Sequence, residues 1–295
     1  MKRAIQIFVA ITIFTILAPA FVSPQELPKP DLRIHTLESK VFNHTRKIRV
    51  LLPPNYEVKK TRYPVLYLND GQNLFDEADA IFNNAEWKVD ETVYDLIAKG
   101  KIPPIIVVGI DNAGKKMRPN EYLPWEDEYL SPPVPDPKGA LYPEFLEKEV
   151  IPFVESKYRV GTEKKDRGLG GSSYGALIAL YSALKKPDLF GKLLLESPSF
   201  YVSDAKVLVM AESAEKFPSM VYIGVGTNEG GRKECDPKDE TFEAVVDVKR
   251  LAEIVKKKEA FDAGGLKVVI EPCAVHHEDA WAKRLPQALK FLFSD

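Results

Sequence analysis

The chain has 295 residues, 45% hydrophobic and 28% charged, with 41 basic side chains against 43 acidic ones. This is globular composition, and a net charge of −2 carries no basic footprint for nucleic acid. Two cysteines are too few for a disulfide scaffold or a four-thiolate zinc site.

At the N-terminus, Lys2 and Arg3 precede an apolar run from Ala4 to Val22, interrupted only by Gln6, Thr12, Thr15 and Pro19. Ala18-Pro19-Ala20 offers a small-x-small cleavage site. Residues 1–20 therefore read as a signal peptide; the alternative is an uncleaved anchor, since the run is barely long enough to span a bilayer. No cysteine follows to accept a lipid, and no other stretch reaches spanning length. The mature protein is expected to be exported, periplasmic or secreted, with no membrane segment. Residues 21–32, with Pro24, Pro28 and Pro30, read as a linker, and 33–295 as one domain because no repeat or Gly/Ser linker divides it.

Within that domain, short β-branched runs alternate with amphipathic stretches. Strands are expected over 46–52, 64–69, 105–111, 167–171, 192–196, 220–225 and 267–271. Val65–Leu68 and Ile105–Val108 are apolar without a break, as buried parallel strands are. Helices are expected over 143–158, 241–258 and 278–293, with Pro152 and Pro286 as places to kink or restart. The alternation implies a mostly parallel sheet with helices on both faces. Residues 119–138 break the pattern: six prolines are interleaved with Tyr122, Trp125 and Tyr129. The stretch reads either as a folded loop over a site or as a surface excursion.

The segment Gly168 to Leu177 follows a strand, opens a helix and contains G-x-S-x-G at Gly171, Ser173 and Gly175. A nucleophilic serine on a sharp strand-to-helix turn needs a strained backbone and neighbours without side chains. The helix behind it aims N–H groups at a developing oxyanion. Partners should follow as acid, then histidine. The strand 220–225 runs into Gly226-Thr227-Asn228-Glu229, and the last strand leads to Cys273-Ala274-Val275-His276-His277-Glu278. Of four histidines, His35 and His44 precede the core strands, which leaves the tandem pair.

With these segments on view, the chain resembles the esterase family of the α/β-hydrolase fold that holds esterase D, enterochelin esterase-like hydrolases and acetylxylan or feruloyl esterases. The resemblance spans about residues 46–293. It rests on Asp70-Gly71-Gln72-Asn73-Leu74-Phe75-Asp76, on Val108 to Asn112 with Arg118, Glu121 and Tyr122, on the elbow, on Gly226 to Glu229, and on His277-Glu278-Asp279-Ala280-Trp281. The D-G-Q-N-L-F-D run and the H-E-x-x-W ending point to the enterochelin esterase-like branch. Two elbow positions depart from the family: Tyr174 stands where leucine is common, and Ala176 where glycine is.

The resemblance implies a carboxylic ester hydrolase working through an acyl-enzyme, with Ser173 as nucleophile, His277 as base and Glu229 as orienting acid. His277 is preferred to His276 because Glu278 and Trp281 frame it as in the family. Glu229 is preferred to Asp236 and Asp239 because it lies three residues past Gly226. The backbone N–H groups of Tyr174 and Gln72 are the implied oxyanion donors. Asp70, Arg118, Tyr122 and Trp125 are candidates for substrate contact, although Arg118 and Glu121 read first as a structural ion pair. No metal or cofactor is called for, and H-E-x-x-H is absent. An acyltransferase of the same fold and a degenerate hydrolase acting as a binding module are the rival readings. The acid and histidine loops must meet in this fold, so Cys235 and Cys273 are expected within bridging distance, alternatively as two unrelated thiols.

Overall fold

The computed structural model describes residues 28–128, 133–258 and 265–294. The expected signal peptide, most of the linker, and Tyr129 lie outside them. The strands are β1 (Asp31–Ser39), β2 (His44–Leu52), β3 (Val65–Asn69), β4 (Ile106–Ile110), β5 (Arg167–Ser172), β6 (Lys192–Glu196), β7 (Met220–Gly226) and β8 (Leu266–Glu271). They form one sheet in the order β1-β2-β4-β3-β5-β6-β7-β8. Strands β3 to β8 are mutually parallel, and β1 and β2 join antiparallel at one edge.

β3 and β4 are buried along their whole length. That is why their sequences run apolar without alternation: both faces of the sheet are covered. β1 is half-exposed, so its pattern is mixed, and it was not expected as a strand. It begins inside the expected linker, where Asp31 and Leu32 already pair with Leu52 and Leu51.

Helices α1 (Val89–Ala98) and α8 (Glu278–Phe293) cover one face. The other carries α2 (Arg118–Tyr122), α3 (Tyr142–Phe145), α4 (Ile151–Lys157), α5 (Tyr174–Lys185), α6 (Lys206–Ser213) and α7 (Glu243–Lys256). Pro152 has the effect expected of it. Its missing N–H is absorbed by a wide π turn, Leu146–Val150, between α3 and α4. Pro286 does not break α8. Helix α5 is buried from Gly175 to Leu184, which seats the elbow on the middle of the sheet. Deleting a leucine there, as in Leu180→Ala, removes wholly buried volume, a loss of about 2–5 kcal/mol.

The proline-rich stretch folds partly inward. Tyr122 is buried, and Trp125 packs edge-on against Tyr181 of α5 with ring centroids 5.3 Å apart. Asp127 accepts the Ser203 N–H at 2.7 Å, tying the stretch to the segment after β6. Among the described residues no helix is long and apolar enough to cross a membrane.

Candidate active site

Ser173 sits between β5 and α5 with φ 57° and ψ −127°, a conformation that costs a non-glycine residue roughly 1–3 kcal/mol. The surroundings over-determine it. The Ser173 N–H donates to the Glu196 carbonyl at 3.0 Å, and its own carbonyl accepts from Ala176 and Leu177 in the first turn of α5. The two glycines of the motif are required by contact. A Cβ at Gly171 would lie 2.8 Å from the Gly175 carbonyl, and one at Gly175 would lie 2.9 Å from Asp70 Oδ2. The Ser173 hydroxyl lies 3.2 Å from Ser199 Oγ. Tyr174 opens α5, the position whose N–H faces out of the helix start.

The acid and histidine turns are stitched together beyond the ends of β7 and β8. The Asn228 N–H donates to the Ala274 carbonyl at 3.0 Å, and the Cys273 N–H to Thr227 Oγ1 at 2.8 Å. Gly226 makes the closeness possible: a Cβ there would lie 2.0 Å from the Ala274 oxygen. Cys235 and Cys273 are bridged, with Cα atoms 5.7 Å apart.

Glu229 is buried, and it meets His276, not His277: Glu229 Oε2 lies 2.6 Å from His276 Nδ1. The preference for His277 is thus corrected, and the cause is local. His277 is the N-cap of α8, its Nδ1 accepting the Asp279 N–H at 3.2 Å, 3.3 Å from the Asp279 carboxylate. Capping turns that ring to the helix terminus, and the extended backbone at His277 sends the preceding side chain the other way. The alternatives to Glu229 are engaged elsewhere: Asp239 pairs with Arg232 at 2.9 Å, and Asp236 accepts the Lys238 N–H.

Behind Glu229 runs a buried network that sequence reasoning missed. Glu229 Oε1 accepts the Gly226 N–H at 2.6 Å and the Ser197 hydroxyl at 2.8 Å. Ser197 Oγ accepts the Trp281 indole N–H at 2.8 Å, and Trp281 stands edge-on to the His276 ring at 5.2 Å. Arg284 reaches Ser197 at 3.4 Å and pairs with Glu196 at 2.8 Å and Glu271 at 2.9 Å. Burial pushes the Glu196 carboxyl up to about 7 against the pull of Arg284. The hydrogen bond from Trp281 to Ser197 lies beyond what the spacing of the motif tells.

A cavity of about 120 Å³ joins Ser173 and His276, walled by Phe82, Trp87, Trp281 and Glu278. Asn73 and Asn83 donate to the two oxygens of Glu278 at 3.2 and 2.8 Å. Phe82, Asn83 and Trp87 carry no motif signal; Asn73 and Glu278 fall in segments on which the resemblance rests.

Asp70 and Arg118 also line the cavity. They form a two-pronged pair at 2.7 and 2.8 Å, which replaces the expected Arg118–Glu121 pair. Glu121 instead holds Arg46 and His44. Arg118 is ringed by Phe82, Tyr122 and Tyr174 at 5.1 to 5.4 Å; burial works against its charge, yet Asp70 keeps it fully cationic. Tyr122 accepts the Asp70 N–H at 3.2 Å from beneath, outside the cavity wall. Trp125 lies outside it as well, against α5. Gln72 occupies the single turn after β3, between cavity-lining Asp70 and Asn73, and its side chain accepts the Asn112 N–H at 3.1 Å.

Comparison with known proteins gives concordant findings. The family model described as "Putative esterase" matches residues 39–292. A Bacillus subtilis (strain 168) protein called YbbA is 27% identical over 250 residues, which is 84% of this chain and 92% of that one. The ferri-bacillibactin esterase BesA of the same organism is 26% identical over 184 residues, 58% of this chain and 60% of its own. Among solved structures, an IroE-like serine hydrolase from Shewanella oneidensis superposes with a TM-score of 0.69 at 20% identity, over 89% of this chain and 80% of that one.

Proposed function

The chain belongs to this esterase family and is a carboxylic ester hydrolase of the α/β-hydrolase fold; on that premise we propose that it is an exported serine esterase whose triad is Ser173, His276 and Glu229. The observation that carries the proposal is the 2.6 Å contact between Glu229 and His276, whose ring lines the same cavity as Ser173. Ser173 Oγ attacks the ester carbonyl carbon, and its proton passes to His276 Nε2. The N–H groups of Tyr174 and Gln72 receive the oxyanion, at about 3 to 4 kcal/mol of transition-state stabilisation each. Collapse breaks the carbon–alkoxy bond, and His276 gives its proton to the departing alcohol. Water then cleaves the acyl-enzyme by the same route. Glu229 holds the imidazole tautomer and balances the imidazolium charge. As substrate enters, the Ser173 hydroxyl turns from Ser199 to His276, a contact that tightens on binding.

The small aromatic wall of Phe82, Trp87 and Trp281 suits a ring-bearing acyl group. Likeness to a ferri-bacillibactin esterase puts siderophore esters first on the panel to be tried. Export is supported by the N-terminal apolar run and by the Cys235–Cys273 bridge, since disulfides persist in oxidising compartments. The test is hydrolysis of p-nitrophenyl acetate together with fluorophosphonate labelling and peptide mapping. Label on Ser173 is expected; turnover with no label, or label on another serine, contradicts the assignment.

A further inference from the structure

Outside the cavity, at the start of α1, three carboxylates converge, the side chain of Asp90 set directly against that of Glu91. Single oxygens of Glu86, Asp90 and Glu91 all lie within 4.8 Å of one another. Glu86 is only 9% exposed, yet its Oε2 has no hydrogen-bond partner, and the same is true of Asp90 Oδ1. Among the described residues no lysine or arginine pairs with any of the three. A buried carboxylate oxygen without a partner is costly, and three carboxylates at this spacing repel as well.

We propose that Glu86, Asp90 and Glu91 form a binding site for a hard divalent cation of the calcium class. The donor set is all oxygen, which excludes the softer ions that prefer imidazole or thiolate. Oxygens sharing one calcium at about 2.3 to 2.6 Å can lie at most about 5 Å apart, so the three donors fit a single ion. A buried Glu86, a half-buried Asp90 and an exposed Glu91 leave the outer positions to water, the arrangement of an open, modest-affinity site.

The site has a physical route to the cavity. Trp87 follows Glu86 directly, and its N–H donates to the Asn73 carbonyl at 3.0 Å. Its ring meets Trp281 at 5.6 Å, and both rings wall the cavity. An ion joining Glu86 to the first turn of α1 clamps the backbone on both sides of Trp87. The site is independent of the esterase chemistry and stands or falls apart from it.

Calcium chloride titrated into chelator-treated full-length protein tests this by calorimetry and thermal melting. One ion should bind with a dissociation constant of about 10⁻⁴ to 10⁻³ M. At tenfold excess over that constant Tm should rise by about 3 °C. Magnesium at the same concentration should raise it less. The double variant Glu86→Gln, Asp90→Asn should melt higher than chelated wild type, because repulsion is gone, and should lose at least tenfold in calcium affinity. Absence of stoichiometric binding, an equal response to magnesium, or a calcium response that survives the double variant would each overturn the proposal.

Discussion

The elbow at Ser173 and the turn at His276 are built on different principles. At the elbow the backbone decides: φ is 57°, and the glycines at 171 and 175 have no room for a Cβ. At the histidine turn the side chains decide. Two identical residues stand side by side, and what separates them is that one caps α8 while the other meets a buried carboxylate. The comparison teaches that a residue held by steric exclusion leaves a mark in its own neighbours in sequence. A residue chosen by a tertiary hydrogen bond leaves its mark elsewhere in the chain.

The largest effect is expected where backbone geometry holds the reacting atom. Ser173→Ala should lose at least about three decades in kcat/KM with an unchanged melting temperature, while Ser172→Ala keeps the fluorophosphonate label. Label that persists in Ser173→Ala would erase the contrast, because the strained residue would then be incidental.

Glu229→Gln probes the other side of the comparison. An amide can donate to Nδ1 and so favours the wrong imidazole tautomer, which should lower kcat by about two to four decades with little change in KM. Activity near wild type would mean that the Glu229–His276 contact serves only the fold.

Ser197→Ala should cost less. Ser197 is a positioning residue: it donates to Glu229 and accepts from Trp281 without reaching the cavity. Losing one buried hydrogen bond to a charged group removes about 1.5–3 kcal/mol, roughly a tenfold to hundredfold loss in kcat. The acid limb of the kcat pH profile should also move, which a purely structural defect would leave in place.

The smallest effect on rate is expected for the bridge. Reducing Cys235–Cys273 frees a closure of 38 residues, about 3 to 4 kcal/mol of stability. The stitches between Thr227, Asn228, Cys273 and Ala274 remain, so kcat should fall only a few-fold while Tm drops. A collapse of activity at a temperature where the reduced protein is still folded would show that the bridge, more than the backbone stitches, holds the two turns together.

The same distinction explains what the sequence discloses. β3, β4 and α5 are legible because burial on both sides leaves no polar residue to confuse the pattern. β1 is not, because an edge strand is half-exposed and its alternation is diluted by charge. The roles proposed for Ser173 and Glu229 follow from chain order and from strand ends. Ser197, Arg284 and the aromatic wall do not, since the contacts that reveal them, Ser197–Glu229, Arg284–Ser197 and Trp87–Trp281, span 32, 87 and 194 residues of chain. Arg118 shows the same failure in miniature: Glu121 lies one turn away and suits an ion pair, but Asp70, 48 residues distant, holds the guanidinium.

The central claim is that His276 is the base, and one parallel measurement tests it: kcat/KM of His276→Ala and His277→Ala on the same ester, with both melting temperatures recorded. His276→Ala should fall as far as Ser173→Ala, at least about three decades, at unchanged Tm. His277→Ala should lose a helix cap, about 1 kcal/mol of stability, and keep its rate within a few-fold. The reverse ranking, with His277→Ala inactive and His276→Ala active, would contradict the account.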